Sequence, residues 1–219
     1  MKGESSRPRA VRRGGPKPAL AILTDLIFVS IAAYLLLNYA RTLLTHVGTM
    51  LLVFRETFFI AYLLMALTFL GVRKGAKAFT GRNRNYLYTI LGFSSPLLFQ
   101  STLLAGPLPV AASLELIGLS LVATAFLSLN RSFGLAPENR GIKTGGVYRF
   151  VRHPMYLGYI LAEAGYVFEN ASTFNLFILM ISFLFLLLRL RAEEQLLQQD
   201  RAYRSYARKT KWKLLPLVF

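Results

Sequence analysis

The sequence predicts an all-α integral membrane protein with about six transmembrane helices, or five, and a cytoplasmic C-terminal amphipathic helix. Hydrophobic residues make up 54% of the 219-residue chain, and charged residues make up only 16%. The mean hydropathy of +0.46 is too high for an ordinary soluble protein of this length. The apolar residues are also grouped into stretches that are long enough to cross a bilayer.

Spanning the hydrocarbon core takes roughly 20 apolar residues. Six stretches approach this length: Ala19–Leu37, Leu51–Leu70, Tyr86–Leu104, Val110–Leu129, Pro154–Phe168 and Phe174–Leu190. The fifth is the shortest and the most polar. We therefore expect it to be irregular or buried among the other helices.

The Lys and Arg residues predict the orientation, because cytoplasmic segments of membrane proteins carry an excess of them. With a cytoplasmic N-terminus, all but Arg41 and Arg55 of the 26 Lys and Arg residues lie on the cytoplasmic side. We therefore expect both termini in the cytoplasm. This topology accounts for the net charge of +16 without nucleic-acid binding, and it favours contact with anionic membrane lipids.

Composition divides the chain into three regions. Residues 1–18 are basic and rich in Pro, Gly and Ser, which is typical of a disordered cytoplasmic tail. Residues 19–127 contain the N-terminal transmembrane helices. Residues 128–219 contain the last two spans and the candidate site, with a polar, helix-prone segment between Arg191 and Lys209. We expect that segment to leave the membrane and lie against its cytoplasmic face.

The residue content excludes several kinds of site. The chain has no cysteine, which rules out disulfides, Cys-ligated zinc and a thiol nucleophile. Its two histidines, His46 and His153, are far apart, so we predict no metal, although a carboxylate site for a hard ion stays open. The chain also lacks the Gly-x-Gly-x-x-Gly fingerprint of soluble dinucleotide-binding folds.

Two charged clusters stand at the cytoplasmic ends of the last two spans. In the first, Arg152-His153-Pro154, the proline suits the first turn of a helix whose free N–H groups favour an anionic ligand. The second contains Arg189 and the pair Glu193-Glu194. Each cluster alone is more typical of charged residues anchored at the membrane surface. The fifth and sixth spans form a hairpin, however, in which one leaves the cytoplasmic side and the other returns to it. We therefore expect both clusters on the cytoplasmic side.

A polar face runs along the fifth span. Tyr156, Tyr159, Glu163 and Tyr166 are spaced by one helical turn each. A carboxylate inside a span is costly, which makes Glu163 a functional candidate. Two interpretations stay open: Glu163 lines a polar cavity, or it binds a tyrosine hydroxyl within the bundle.

The C-terminal region resembles the isoprenylcysteine carboxyl methyltransferase family. The resemblance rests on the run Gly-Val-Tyr-Arg-Phe-Val-Arg-His-Pro-Met-Tyr-Leu-Gly from Gly146 to Gly158, and on the later Arg-x-Arg-x-Glu-Glu from Arg189 to Glu194. The closing Tyr203-x-x-Tyr206 and Lys213-Leu-Leu-Pro pattern is also similar. The wider superfamily includes phospholipid N-methyltransferases and membrane thiol methyltransferases.

The resemblance implies an enzyme that uses S-adenosylmethionine. It implies cofactor contacts by Arg140, Gly141, Ile142, Lys143, Tyr148, His153, Pro154, Met155, Tyr156, Glu193 and Glu194. It implies catalytic roles for Arg152, His153 and Glu193, and it places Arg189 towards the substrate. We assign Tyr159 and Glu163 to the substrate side as well.

We therefore expect an integral membrane methyltransferase whose acceptor is lipophilic and enters from the bilayer. A carboxylate, an amine and a thiol all remain possible as the methyl-accepting group. A carboxylate would need no general base, whereas an amine or a thiol must first lose a proton. The alternatives from other classes are a non-catalytic membrane scaffold or transporter, and a membrane reductase that binds a nicotinamide cofactor.

Overall fold

The protein is mostly helical in a computed structural model that describes residues 11–13, 17–45, 60, 63–100 and 109–215. Most of the predicted tail and the first half of the second predicted span lie outside the described residues. The helices are α1 (Ala19–Thr45), α2 (Leu63–Val72), α3 (Asn83–Ser94), α4 (Pro109–Leu129), α5 (Pro154–Glu169), α6 (Thr173–Leu197) and α7 (Arg201–Lys209).

Three of these helices are long and apolar enough to cross a membrane. The corresponding segments are Ala19–Asn38 within α1, Pro109–Ser132, which is α4 with the 3₁₀ turn that follows it, and Thr173–Leu197, which is α6. The fifth predicted span forms α5, a helix of 16 residues. Among the described residues, three helices are thus long enough to cross a membrane. The total of six spans stays a prediction.

The third predicted span, Tyr86–Leu104, is not one continuous helix. Helix α3 ends at Ser94, and a short 3₁₀ helix of four residues, Ser95–Leu98, follows it. The physical reason is Pro96, which has no N–H to donate to the carbonyl oxygen one helical turn earlier, although Ser95 itself keeps helical backbone angles. The final residues of this predicted span lie outside the described chain.

Helices α4 and α5 pack closely because glycines lie in their interface. A Cβ atom at Gly158 would lie 2.6 Å from the Gly118 carbonyl oxygen, and one at Gly165 would lie 2.7 Å from that of Ala111. Close approach through small residues is typical of helix pairs in membranes. It places α5, which begins at the candidate site, in a defined position against α4.

A small three-stranded sheet was not predicted for this fold. Strand β1 (Val11–Arg13) pairs with β2 (Ala78–Thr80), and β2 pairs with β3 (Glu138–Asn139), both antiparallel. Strand β1 lies within the segment predicted as a disordered tail. The strands are only two or three residues long, too short for an alternating pattern to reveal them in the sequence.

The helix-prone segment between Arg191 and Lys209 forms the end of α6 and all of α7. The two helices are separated at Asp200, whose side chain accepts a hydrogen bond from the Ala202 N–H at 2.9 Å and so caps α7. Tyr203 and Tyr206 are buried, whereas Arg204 on the opposite face is exposed. Helix α7 therefore turns an aromatic face towards the protein.

Candidate active site

The entrance of α5 is held by the C-terminal segment of the chain. Pro154 occupies the first turn of α5, where its missing N–H costs no hydrogen bond. Just before it, the N–H groups of Arg152 and His153 donate to the carbonyl oxygens of Trp212 and Lys213 at 2.9 and 2.8 Å. These bonds fix the backbone that carries both side chains.

Glu194 binds the side chains of three residues in the predicted site region. Arg152 Nη1 donates to its Oε2 atom at 2.7 Å, and His153 Nε2 lies 2.7 Å from its Oε1 atom. The hydroxyl of Tyr203 also donates to Oε1. Both carboxylate oxygens are thus engaged, and Glu194 does not line the neighbouring cavity. The predicted cofactor contact of Glu194 stays a prediction, and in this structure its carboxylate binds protein side chains.

Glu193 points in a different direction from Glu194. Its Oε2 atom accepts a hydrogen bond from the Tyr156 hydroxyl at 2.6 Å. The guanidinium carbon of Arg189 lies 5.2 Å from the centre of the Tyr156 ring, which is a cation–π distance. Arg189 also donates from Nη2 to the Leu135 carbonyl oxygen at 2.6 Å. A carboxylate therefore binds the hydroxyl of Tyr156 while a guanidinium lies over its ring.

The loop before α5 carries a buried ion pair. Arg140 donates from Nε to Glu138 Oε2 at 2.8 Å, and its Nη1 atom donates to the Lys74 carbonyl oxygen. The backbone turns at Gly141, whose φ of +104° is in the region that favours glycine. These features shape the predicted loop 140–143 into a cavity wall.

A cavity of about 80 Å³, here called the loop cavity, lies between that loop, the start of α5 and the end of α6. Of the residues predicted from the sequence, it is lined by Arg140, Gly141, Ile142, Lys143, Tyr148, Arg152, His153, Met155, Tyr156, Arg189 and Glu193. Pro154 and Glu194 lie behind this lining. The cavity thus exposes carboxylates, cations and aromatic rings together.

A second cavity of about 340 Å³, here called the helix cavity, is lined mainly by apolar residues. On α5 it is lined by Tyr159, Ala162, Glu163 and Tyr166, the turns that follow Tyr156. Arg189 lines both cavities. The two substrate-side predictions, Tyr159 and Glu163, therefore fall in a different cavity from the predicted cofactor contacts, with Arg189 where the two cavities adjoin.

Among the residues of the loop cavity to which sequence reasoning assigned no individual role are two tyrosines and a glutamate. Tyr203 and Tyr206 line it from α7, and Glu138 lines it from β3. Burial raises the pKa of Tyr203 well above its usual value and that of Tyr206 to about 12. Both are therefore neutral hydrogen-bond donors at physiological pH. The three-residue spacing of Tyr203 and Tyr206 could have indicated a shared helix face. Glu138 gave no such signal, because only the fold shows that it pairs with Arg140 at the cavity wall.

One known family matches part of this chain. Residues 108–204 match the family model described as phospholipid methyltransferase. No curated protein matches the sequence significantly. The matched segment runs from the residue before α4 into α7 and includes most of the loop cavity. It confirms the resemblance to the superfamily of membrane methyltransferases.

Proposed function

We propose that the protein is an integral membrane methyltransferase that transfers a methyl group from S-adenosylmethionine to a lipophilic acceptor. The observation that carries this proposal is the pair of adjoining cavities. The loop cavity is polar and charged, the helix cavity is mainly apolar, and Arg189 lines both. A charged methyl donor and a lipophilic acceptor require two such compartments that meet at the reacting atoms.

The loop cavity fits the chemistry of the proposed cofactor. Glu193 offers a carboxylate to an ammonium group, and Lys143 offers an ammonium to a carboxylate. The Tyr148 and Tyr156 rings provide aromatic surface next to which a sulfonium is stabilised. The cofactor supplies an electrophilic methyl group, and the chain's residues bind and orient it.

Arg152 and His153 serve to position this site. Both are fixed through their side chains by Glu194 and through their backbones by the C-terminal segment. Methyl transfer depends on alignment and on exclusion of water more than on a strong acid or base. The buried side chains of Tyr203 and Tyr206 cover the cavity from the α7 side and keep water out.

The N-terminal helices supply most of the helix cavity. Its walls include Phe28 and Leu35 of α1, Leu63 of α2 and Phe93 of α3. All four precede the segment that matches the family model. We therefore assign much of the apolar wall that receives the acceptor to the N-terminal helices, and cofactor binding to the matched segment, which also supplies Tyr159, Glu163 and Arg189 to the helix cavity.

Two acceptor classes follow from specific observations. The positive charge of Arg189 next to the donor side favours a carboxylate acceptor, as in the isoprenylcysteine carboxyl methyltransferases. The family match favours a phospholipid amine. The excess of Lys and Arg on one side supports a multi-pass topology with both termini in the cytoplasm, where the cofactor is available.

Calorimetric titration of the purified protein with S-adenosylmethionine tests the proposal directly, with NADPH as the comparison ligand. We expect saturable binding of S-adenosylmethionine and none of NADPH. Incubation of the protein with membrane lipids and methyl-labelled cofactor should then yield a labelled, organic-extractable product. Absence of S-adenosylmethionine binding would contradict the proposal, and NADPH binding in its place would favour a reductase.

A further inference from the structure

The helix cavity contains a carboxylate that the proposed methyl transfer does not use. Glu163 lines this cavity on α5. Among the described residues no cation lies within ion-pair distance of it, and its polar neighbour is Ser182 of α6. Ser182 is 0% exposed, and its hydroxyl makes no hydrogen bond of normal geometry to any described group. A half-buried carboxylate and a fully buried hydroxyl therefore lie next to each other, and the carboxylate also faces the cavity.

Polar groups buried among apolar helices are costly unless they are hydrogen-bonded. Here a ligand could supply the missing hydrogen bond, because Glu163 lines a cavity that is large enough for part of a ligand. At the level of Gly165, Glu115 of α4 adds a second carboxylate to the lining. Two carboxylates thus line the cavity close together along α4 and α5, while most of the other lining residues are apolar.

Helix α5 sets the distance between Glu163 and the proposed site of methyl transfer at Arg189. Tyr156 marks the end near Arg189, and Glu163 lies seven residues further along the same helix, about 10 Å at the rise of an α-helix. An acceptor with its reactive group at Arg189 would therefore place its hydrocarbon portion past Tyr159 and against Glu163.

We propose that the helix cavity selects an acceptor whose hydrocarbon portion carries a hydrogen-bond donor, such as a hydroxyl group, that binds Glu163. This inference rests on the proposed function, since it assumes that the reactive group lies at Arg189. A plain hydrocarbon chain would offer this carboxylate no hydrogen-bond donor on the cavity side. A chain with a donor at the right distance satisfies it in a low-dielectric environment, where such a bond is strong.

Matched fatty acids test this selection as ligands. The probes are octadecanoic acid, 10-hydroxyoctadecanoic acid and 2-hydroxyoctadecanoic acid. Each is titrated into the 219-residue protein in lipid nanodiscs. Excess S-adenosylhomocysteine is present to occupy the proposed cofactor site, so that no turnover occurs. Empty nanodiscs report the partitioning of each probe into lipid. The 10-hydroxy probe can place its hydroxyl near Glu163 while its carboxylate lies at Arg189, and the 2-hydroxy probe cannot.

We expect the 10-hydroxy acid to bind at least tenfold more tightly than the other two, which corresponds to about 1.4 kcal/mol. In Glu163→Leu this preference should fall below threefold. The matched control is Glu169→Gln, which alters a carboxylate on the same helix that does not line the cavity; it should keep the full preference. Thermal unfolding of each variant checks that it is folded.

Equal binding of the three probes to the wild-type protein would overturn the inference, whether or not the variants fold. So would a preference that survives in Glu163→Leu. A separate titration with S-adenosylmethionine reports on the proposed function. Failure of that titration would contradict the methyltransferase assignment, whereas failure of the probe comparison alone would contradict only the subsite at Glu163.

Discussion

The Nε2 atom of His153 lies 2.7 Å from the carboxylate of Glu194, so the residue before α5 is tied to the end of α6. The same carboxylate accepts a hydrogen bond from Arg152. The side chains of Arg152 and Glu194 are only 8% and 12% exposed. This contact is therefore a partly buried charge network that holds two helix ends together, and its loss should affect folding before it affects ligand affinity.

Replacing Glu194 should destabilise the protein. Glu194→Ala leaves the buried Arg152 guanidinium without its charge partner, and removing one member of a buried pair typically costs about 3 kcal/mol or more. Thermal unfolding in detergent should show a clear fall in the melting temperature. The neighbouring Gln195 has an exposed side chain, so Gln195→Ala should melt close to the wild-type protein. Equal melting of the two variants would contradict a structural role for Glu194.

Replacing Glu193 should instead weaken ligand binding. Its carboxylate lines the loop cavity and accepts a hydrogen bond from Tyr156. We expect Glu193→Ala to reduce the affinity for S-adenosylmethionine at least tenfold, about 1.4 kcal/mol, with little change in melting temperature. Calorimetric titration of Glu193→Ala and Gln195→Ala side by side measures this. Wild-type affinity in Glu193→Ala would show that the cofactor does not contact this residue.

The C-terminal segment should be needed for the site. Leu214 is 5% exposed and packs with Tyr156 and Leu190, whereas Leu215 is 45% exposed. Leu214→Ala should cost about 3 kcal/mol of unfolding free energy, as expected for a large-to-small change in a core. Because Tyr156 loses a packing partner, cofactor affinity should fall as well.

Leu215→Ala is the matched control, with the same chemical change one residue further on. It should alter the unfolding free energy by less than about 0.5 kcal/mol, which is usual for a surface substitution. Similar losses in both variants would mean that the packing of Leu214 against Tyr156 is not what holds the C-terminal segment.

The stability of the protein should fall at alkaline pH. Burial raises the pKa of Tyr206 to about 12, whereas an unfolded tyrosine ionises near its usual pKa of 10.0. A raised pKa in the folded state gives a stabilisation that is complete below pH 10 and is lost as the pH rises through 12. The loss follows because the unfolded chain releases this proton first.

Melting temperatures measured between pH 8 and pH 12 test this dependence. Tyr206→Phe should be less stable at pH 8, because the hydroxyl donates to the Tyr148 carbonyl oxygen at 2.7 Å. It should also lose less stability than the wild-type protein on going to pH 12. An unchanged slope in Tyr206→Phe would assign the alkaline loss to other groups, such as Tyr203, whose pKa is also raised by burial.

Much of the fold could be predicted from local composition. The apolar stretches that begin near Ala19, Val110 and Phe174 all form long helices, because helix length and hydropathy are encoded residue by residue. The third stretch forms α3 and a 3₁₀ helix, a break that hydropathy does not report because it gives Pro96 no weight as a helix terminator. The sheet was missed because its pairing of β1, β2 and β3 joins residues far apart in sequence, which no short pattern reports.

The sequence by itself determined the two charged clusters and the resemblance to membrane methyltransferases, and it predicted that both clusters lie on one side of the membrane. Only the tertiary structure decided which glutamate does what. Adjacent residues on a helix point about 100° apart, so Glu193 lines the cavity while Glu194 binds Arg152 and His153. Likewise, only the packing of α5 against α6 places Arg189 between a polar cavity and an apolar one. Such placements depend on the directions of side chains from different helices, which no single segment of sequence specifies.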